Sequence, residues 1–136
     1  MSRISIEEAA RLWNEASDDE LRELARATRA KWHEPDHATY MVMRIINYTN
    51  VCVAQCDYCA FYRRPKHTEG YTLSYEQSGA KIDEAKTLGA VQILIQGGHN
   101  PYIPFEWYLG LMRYIKQHHP IHIHGFSPSE VDFFAK

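Results

Sequence analysis

Three cysteines stand inside the stretch NVCVAQCDYCAFYR, residues 50 to 63, at Cys52, Cys56 and Cys59, and the chain has no others. The spacing CxxxCxxC lets one loop wrap three thiolates around a compact centre, whereas a disulfide between two of them leaves the third unmatched. Two metal chemistries suit such a set. A four-iron cluster normally takes four thiolates, so three leave one iron open to a ligand from outside the chain. A structural zinc ion accepts three cysteines and one histidine, and His67 or another histidine can complete it. Tyr58 precedes the last cysteine, and Phe61 and Tyr62 follow it, an arrangement expected to give the loop an apolar shell. Further along, Gly97, Gly98 and His99 form a turn, and HIHGFSPSE (residues 122 to 130) carries His122, His124 and Ser127.

The elements that must position these residues can be read from pattern. Ser5 with Glu8, and Ser17 with Glu20, make capping-box pairs ahead of helical apolar spacing, which predicts two amphipathic helices over roughly 6 to 32, the second stopped by Pro35. ATYMVMRIIN (38 to 47) reads as a strand buried on both faces apart from Arg44. The cysteine loop follows it directly. Ser74 with Gln77 opens a helix to about Gly89, and VQILIQ (91 to 96) is the next strand. Pro104 suits the first turn of a helix through about His118, with Phe105, Tyr108, Leu109, Met112 and Ile115 as its buried stripe. IHIH (121 to 124) is a third strand, and Ser127, Pro128 and Glu130 announce a further helix.

Strands alternating with helices predict an α/β fold of parallel strands joined by right-handed crossovers. The cysteine loop, the Gly97 turn and the GFSPSE turn then all follow the C-terminal ends of strands, the edge that carries chemistry in such folds. By the period of two along a strand, Ile121 and Ile123 pack under helices and His122 and His124 face the other way, toward that site. They are candidates for substrate contact or proton transfer, weighed against a role as satisfied interior histidines. Ser127 is a candidate substrate contact that helix capping also explains, and His99 a turn residue placed at the site. Three parallel strands cannot close a barrel, so the chain is expected to be the first part of a larger one, with residues 1–37 a helical extension over its N-terminal end or flank and 38–136 the truncated barrel.

Composition limits the partners. Fifteen basic and seventeen acidic residues leave a formal charge of −2, so neither a nucleic acid nor a membrane surface is expected to bind by charge. The sequence shows no signal-like N-terminus and no membrane-spanning run, which predicts a cytoplasmic protein, a compartment where clustered thiols bind metal more often than they form disulfides.

CxxxCxxC with an aromatic before the last cysteine, directly after the first strand of a βα series, resembles the radical S-adenosylmethionine superfamily. The resemblance implies a (β/α) TIM-like barrel in which Cys52, Cys56 and Cys59 hold a [4Fe–4S] cluster, with S-adenosylmethionine chelating the fourth iron and cleaved to a 5'-deoxyadenosyl radical that abstracts hydrogen from substrate. It implies that Tyr58 contacts the S-adenosylmethionine and that Gly97 and Gly98 lie beside its methionine moiety, while His99 stands where an acidic residue is common. NYTNVC, CAFYRRP, EGYTLS, ILIQGGHNPYIPFEWY and IHIHGFSPSEV together resemble, more narrowly, the cyclic dehypoxanthine futalosine synthases of menaquinone biosynthesis. That similarity implies dehypoxanthine futalosine as substrate and an electron donor such as flavodoxin or ferredoxin. Aminofutalosine synthases and deazaflavin-forming synthases share much of the pattern. Members of the family are much longer, which predicts that these 136 residues by themselves are inactive. A small zinc-stabilised interaction module is the non-enzymatic alternative.

Overall fold

A computed structural model of the chain describes residues 3–136, which divide into two compact units, one through Thr39 and one from Tyr40. The first unit holds α1 (Ile6–Glu15) and α2 (Asp18–Arg29). Their starts follow the expected chemistry: Ser5 accepts from the Glu8 N–H and Ser17 from the Glu20 N–H, each satisfying a donor that the first turn leaves free. Arg11 pairs with Glu8 of its own helix at 3.0 Å and joins α1 to α2 through Glu20 at 2.8 Å. Neither helix contains a buried residue.

The second unit is an α/β layer. Strands β1 (Met43–Asn47), β2 (Gln92–Gln96) and β3 (His122–Gly125) form one parallel sheet in the order β1-β2-β3. Between them run α3 (Tyr75–Thr87) and α4 (Phe105–His118), and α5 (Pro128–Phe134) follows β3. α3 opens on a complete Ser74–Gln77 capping box and closes before Gly89, whose φ of +83° is one that a side chain would strain. Among the described residues no helix is long and apolar enough to cross a membrane.

One face of the sheet is the core. Ile46, Ile93 and Ile95 are sealed beneath Ile82 of α3 and Leu111 and Ile115 of α4, with Ile123 at the margin. Arg44, on the same face, reaches Glu84 of α3 at 2.5 Å. The opposite face is open: Met43, Ile45, His122 and His124 are all exposed. The expectation of a first strand buried on both faces over 38–47 is therefore corrected. The ladder begins at Met43, and only alternate residues are covered, because among the described residues helices pack on one side alone. In α4 the buried stripe is Tyr108, Leu111 and Ile115. Phe105 is exposed and Leu109 and Met112 are half-buried, so the helix is rotated slightly from the expected stripe toward Leu111.

Around Tyr48, just past β1, aromatic rings interlock. Tyr48 meets Tyr108 and Phe126 edge to face at 5.7 and 5.9 Å, and Tyr108 stacks on Phe134. Phe126 is held at φ +60°, a backbone region costly for a bulky residue, and its ring contacts on Tyr48, Tyr108 and Phe134 compensate.

Burial raises the Tyr48 and Tyr108 hydroxyls above the ordinary phenol value, Tyr108 to about 12, with the Glu130 carboxylate adding to the rise at Tyr48. Groups whose folded value lies above the unfolded one, near 10, stabilise fully below that value and cease to do so as pH rises through the folded one. The unfolding free energy read from urea titration should hold to about pH 10 and then fall toward pH 12 by about 2 kcal/mol for each such tyrosine. In Tyr108→Phe the alkaline fall should be shallower, and an unchanged slope would contradict this assignment.

Candidate functional site

The three strands bring their C-terminal ends to one edge, and the chemistry-bearing turns meet there. The cysteine loop leaves β1 through Tyr48, Thr49 and Val51, all buried. Its neck is closed by backbone: the Cys52 N–H donates to the Arg63 carbonyl at 2.9 Å and the Arg63 N–H to the Asn50 carbonyl at 2.7 Å. Asn100, 2% exposed, braces the base by donating to Thr49 Oγ1 and Thr72 Oγ1 at 3.0 and 3.2 Å while accepting from the Tyr102 N–H. An open cleft of about 300 Å³ lies beside this brace, lined in part by Val51, Tyr71, Thr72, Asn100 and Trp107.

The thiols are unequal. Cys52 is buried and its Sγ accepts two backbone N–H groups, from Ala54 at 3.4 Å and His99 at 3.3 Å. Backbone donors to a sulfur are the kind of contact that orients a ligand. Cys56 and Cys59 are half-buried on the outer part of the loop, linked by a turn in which the Cys59 N–H meets the Cys56 carbonyl at 3.1 Å. Gln55, just before Cys56, turns the loop at φ +49°. All three cysteines are free thiols. Among the described residues no three Cys, His, Asp or Glu side chains converge closely enough to hold one metal ion. His67, one candidate for the fourth ligand in the zinc alternative, accepts the Glu69 N–H at its Nδ1 at 3.1 Å.

The Gly97–Gly98 turn lies against this loop. A Cβ on Gly98 would collide with the Val51 carbonyl and stand 2.8 Å from Cys52 Cβ, and one on Gly97 would come within 2.6 Å of the Tyr48 ring. The Gly98 N–H donates to the Thr49 carbonyl at 3.1 Å, and the Val53 N–H to the His99 carbonyl at 3.0 Å. Two residues without side chains are thus what lets β2 end in contact with the loop that follows β1. The His99 ring stacks on Phe133 of α5 at 4.8 Å, so its side chain rests on a helix while its backbone serves Cys52.

The remaining candidates divide. His124 is in register with Leu94 and His122 with Gln92, both on the open face. His122 therefore stands two residues, about 7 Å, further from the site edge than His124. Ser127 Oγ is occupied by its cap: it accepts from the Glu130 N–H at 3.3 Å and donates to Glu130 Oε2 at 2.7 Å. Tyr58 and Phe61 are 92% and 69% exposed. The expected apolar shell over the loop is therefore not formed by Tyr58 and Phe61, and Tyr62 alone of the three aromatics is half-buried.

Sequence reasoning missed Glu130 except as a capping partner. It is 1% exposed, and its carboxylate accepts from the Tyr48 hydroxyl, the Gly97 N–H, the Ser127 N–H and Ser127 Oγ at 2.7 to 2.8 Å. The SxxE pattern was the only local signal, and it says nothing of contacts to β1 and β2.

Comparison with known proteins agrees with this geometry. Residues 46–133 match the family described as the Radical SAM superfamily. The chain is 41% identical over 130 residues to a cyclic dehypoxanthine futalosine synthase of Halalkalibacterium halodurans, covering 95% of this chain and 35% of that protein. It is 43% identical over 102 residues to a 5-amino-6-(D-ribitylamino)uracil--L-tyrosine 4-hydroxyphenyl transferase of Methanopyrus kandleri, covering 74% of this chain and 28% of that one. The chain thus spans about a third of the length of these relatives. In fold it is similar to HydG, a maturase of the [FeFe]-hydrogenase, with a TM-score of 0.65 at 20% identity over 84% of this chain and 25% of that one.

Because Gly98 has no room for a methyl group, Gly98→Ala should cost about 2 to 3 kcal/mol by overpacking, read from urea unfolding. Gly89→Ala, whose added carbon meets nothing, should cost about 1 kcal/mol, from its positive φ alone. Equal losses at the two positions would count against the close approach.

Proposed function

The chain belongs to the radical SAM superfamily, and from that premise we propose that it forms the cluster-binding part of an enzyme that converts dehypoxanthine futalosine to its cyclic product in menaquinone biosynthesis. A [4Fe–4S] cluster and S-adenosylmethionine are the cofactors that membership brings. The residues present suit them: three free thiols on one loop, one of them already accepting two backbone N–H groups, beside a glycine turn with no side chain to obstruct a ligand. When bound, the two cofactors supply one-electron reduction of the sulfonium and hydrogen abstraction from substrate.

In this reading Cys52, Cys56 and Cys59 would hold the cluster. Cys52 is the fixed ligand, its Sγ oriented by the Ala54 and His99 N–H groups, and Cys56 and Cys59 are carried by the outer loop. Gly97 and Gly98 keep backbone, and nothing bulkier, against the loop, and Tyr58 is free to turn toward the nucleotide. On the open sheet face His124 is the nearer histidine for substrate contact or proton transfer and His122 the more remote. Ser127 and His99 contribute chiefly through structure, one in a helix cap and the other through its backbone. Flavodoxin or ferredoxin is the expected electron donor. Residues 1–37 are read as an extension of the barrel that begins at 38.

The observation that carries the cyclase reading is the extent of the match, 95% of the chain at 41% identity. A relative of the deazaflavin-related transferases is the second reading, supported by 43% identity over a shorter stretch.

The test is anaerobic reconstitution of the full-length protein with iron and sulfide, followed by assay of reductive S-adenosylmethionine cleavage. Wild type should cleave, and Cys56→Ala should lose at least about a thousandfold in rate, as expected when the group that holds the reacting centre is removed. With dehypoxanthine futalosine added, a cyclic product two hydrogens lighter than the substrate should accumulate, with one equivalent of 5'-deoxyadenosine formed for each equivalent of product. Cleavage without turnover of that compound, but with coupling of tyrosine to a ribitylaminouracil, would favour the transferase reading. A folded protein that binds zinc, assembles no cluster and cleaves nothing would overturn both.

A further inference from the structure

Glu130 is the least expected residue at the site edge. A carboxylate shut away from water must be matched by donors, and this one meets four hydrogen bonds from three residues, one residue past each strand end or close to it: Tyr48 after β1, Gly97 after β2 and Ser127 after β3. Helix capping accounts for the Ser127 pair alone. The Oε1 side, which receives the Tyr48 hydroxyl and the Gly97 N–H at 2.8 Å each, adds nothing to the start of α5.

What Oε1 does fix is the beginning of the glycine turn. From Gly97 the path to the first thiol is short and entirely hydrogen-bonded. Gly98 N–H is held by the Thr49 carbonyl, His99 N–H donates to Cys52 Sγ, and the His99 carbonyl receives the Val53 N–H. Gly98 also leaves little slack, since there is no room for even a Cβ between it and the Val51 carbonyl and Cys52 Cβ. A displacement of Gly97 is therefore passed directly to the donor on Cys52 Sγ. Cys56 and Cys59 lie outside this path, on the outer loop.

We propose that Glu130 is a positioning residue for the metal-binding loop: by holding the Gly97 N–H it fixes the His99 N–H against Cys52 Sγ and so keeps that one thiol buried and oriented. The importance of this for a cluster rests on the reading of Cys52 as a ligand, whereas the mechanical link to Cys52 does not.

Alkylation of the three thiols by iodoacetamide, followed residue by residue by mass spectrometry in the full chain stripped of iron, separates these statements. In wild type Cys52 should react most slowly. In Glu130→Ala it should react about tenfold faster with Cys56 and Cys59 unchanged, the shift expected when a buried hydrogen-bonded unit loses one acceptor. Glu130→Gln, which keeps the shape and one oxygen, should lie between the two. Tyr48→Phe removes the other bond to Oε1 but leaves that of Gly97, and should label like wild type. Equal acceleration of all three thiols, or a Tyr48→Phe effect as large as that of Glu130→Ala, would assign Glu130 to general stability and overturn the proposal. If Glu130→Ala does not fold, amide exchange in wild type decides: Gly97 should exchange as slowly as the amides of β2, and fast exchange defeats the idea. Reconstitution of the same wild type with iron and sulfide tests the functional reading apart from this one, since failure to assemble a cluster would sink that reading and leave the Cys52 rates standing.

Discussion

A single carboxylate with no access to water ties together the ends of three parallel strands. Glu130 could not be buried without donors, and the donors it uses come from three separate segments of the chain. Parallel strands place their loops side by side but do not by themselves fix how closely those loops approach. Here the approach is set twice over, by polar matching around Glu130 and by the absence of side chains at Gly97 and Gly98. Tyr48 reaches the carboxylate through its hydroxyl, and its ring, with Tyr108 and Phe134, packs on Phe126 and compensates the left-handed backbone there.

The loop that this arrangement supports has a rigid inner part and a freer outer part. Cys52 belongs to the sheet edge, while Cys56 and Cys59 belong to a turn with exposed neighbours. On the proposed reading, in which the loop accepts a cluster and a nucleotide, such a division is physically sensible. One anchored sulfur supplies a fixed origin, and the other two can adjust to what is bound. On the open face of the sheet both histidines are exposed, with His124 nearer the site edge than His122.

Much of this was legible in sequence because the signals were local. Capping pairs at Ser5, Ser17, Ser74 and Ser127 located helix starts, and the change from a period of 3.6 to one of 2 located strands. CxxxCxxC identified the loop, and the alternation of isoleucine with histidine in the third strand set which face each would take. The misses were matters of tertiary contact. Hydrophobicity at Tyr40, Met41 and Ile45 could not say that no element covers them here, nor could it rotate α4 from Met112 toward Leu111. Glu130 is the plainest case. Its role depends on Tyr48, eighty-two residues away, a separation across which no periodicity carries information.

Because Cys52 and Arg63 are stitched together at the base of the cysteine loop, the sheet does not dictate the length of the segment between them, and doubling such a segment costs only about 0.6 kcal/mol in closure entropy. On the proposed reading, the spacing of Cys52, Cys56 and Cys59 thus answers to what the thiols hold and not to the fold, which asks of this segment only that its two ends meet.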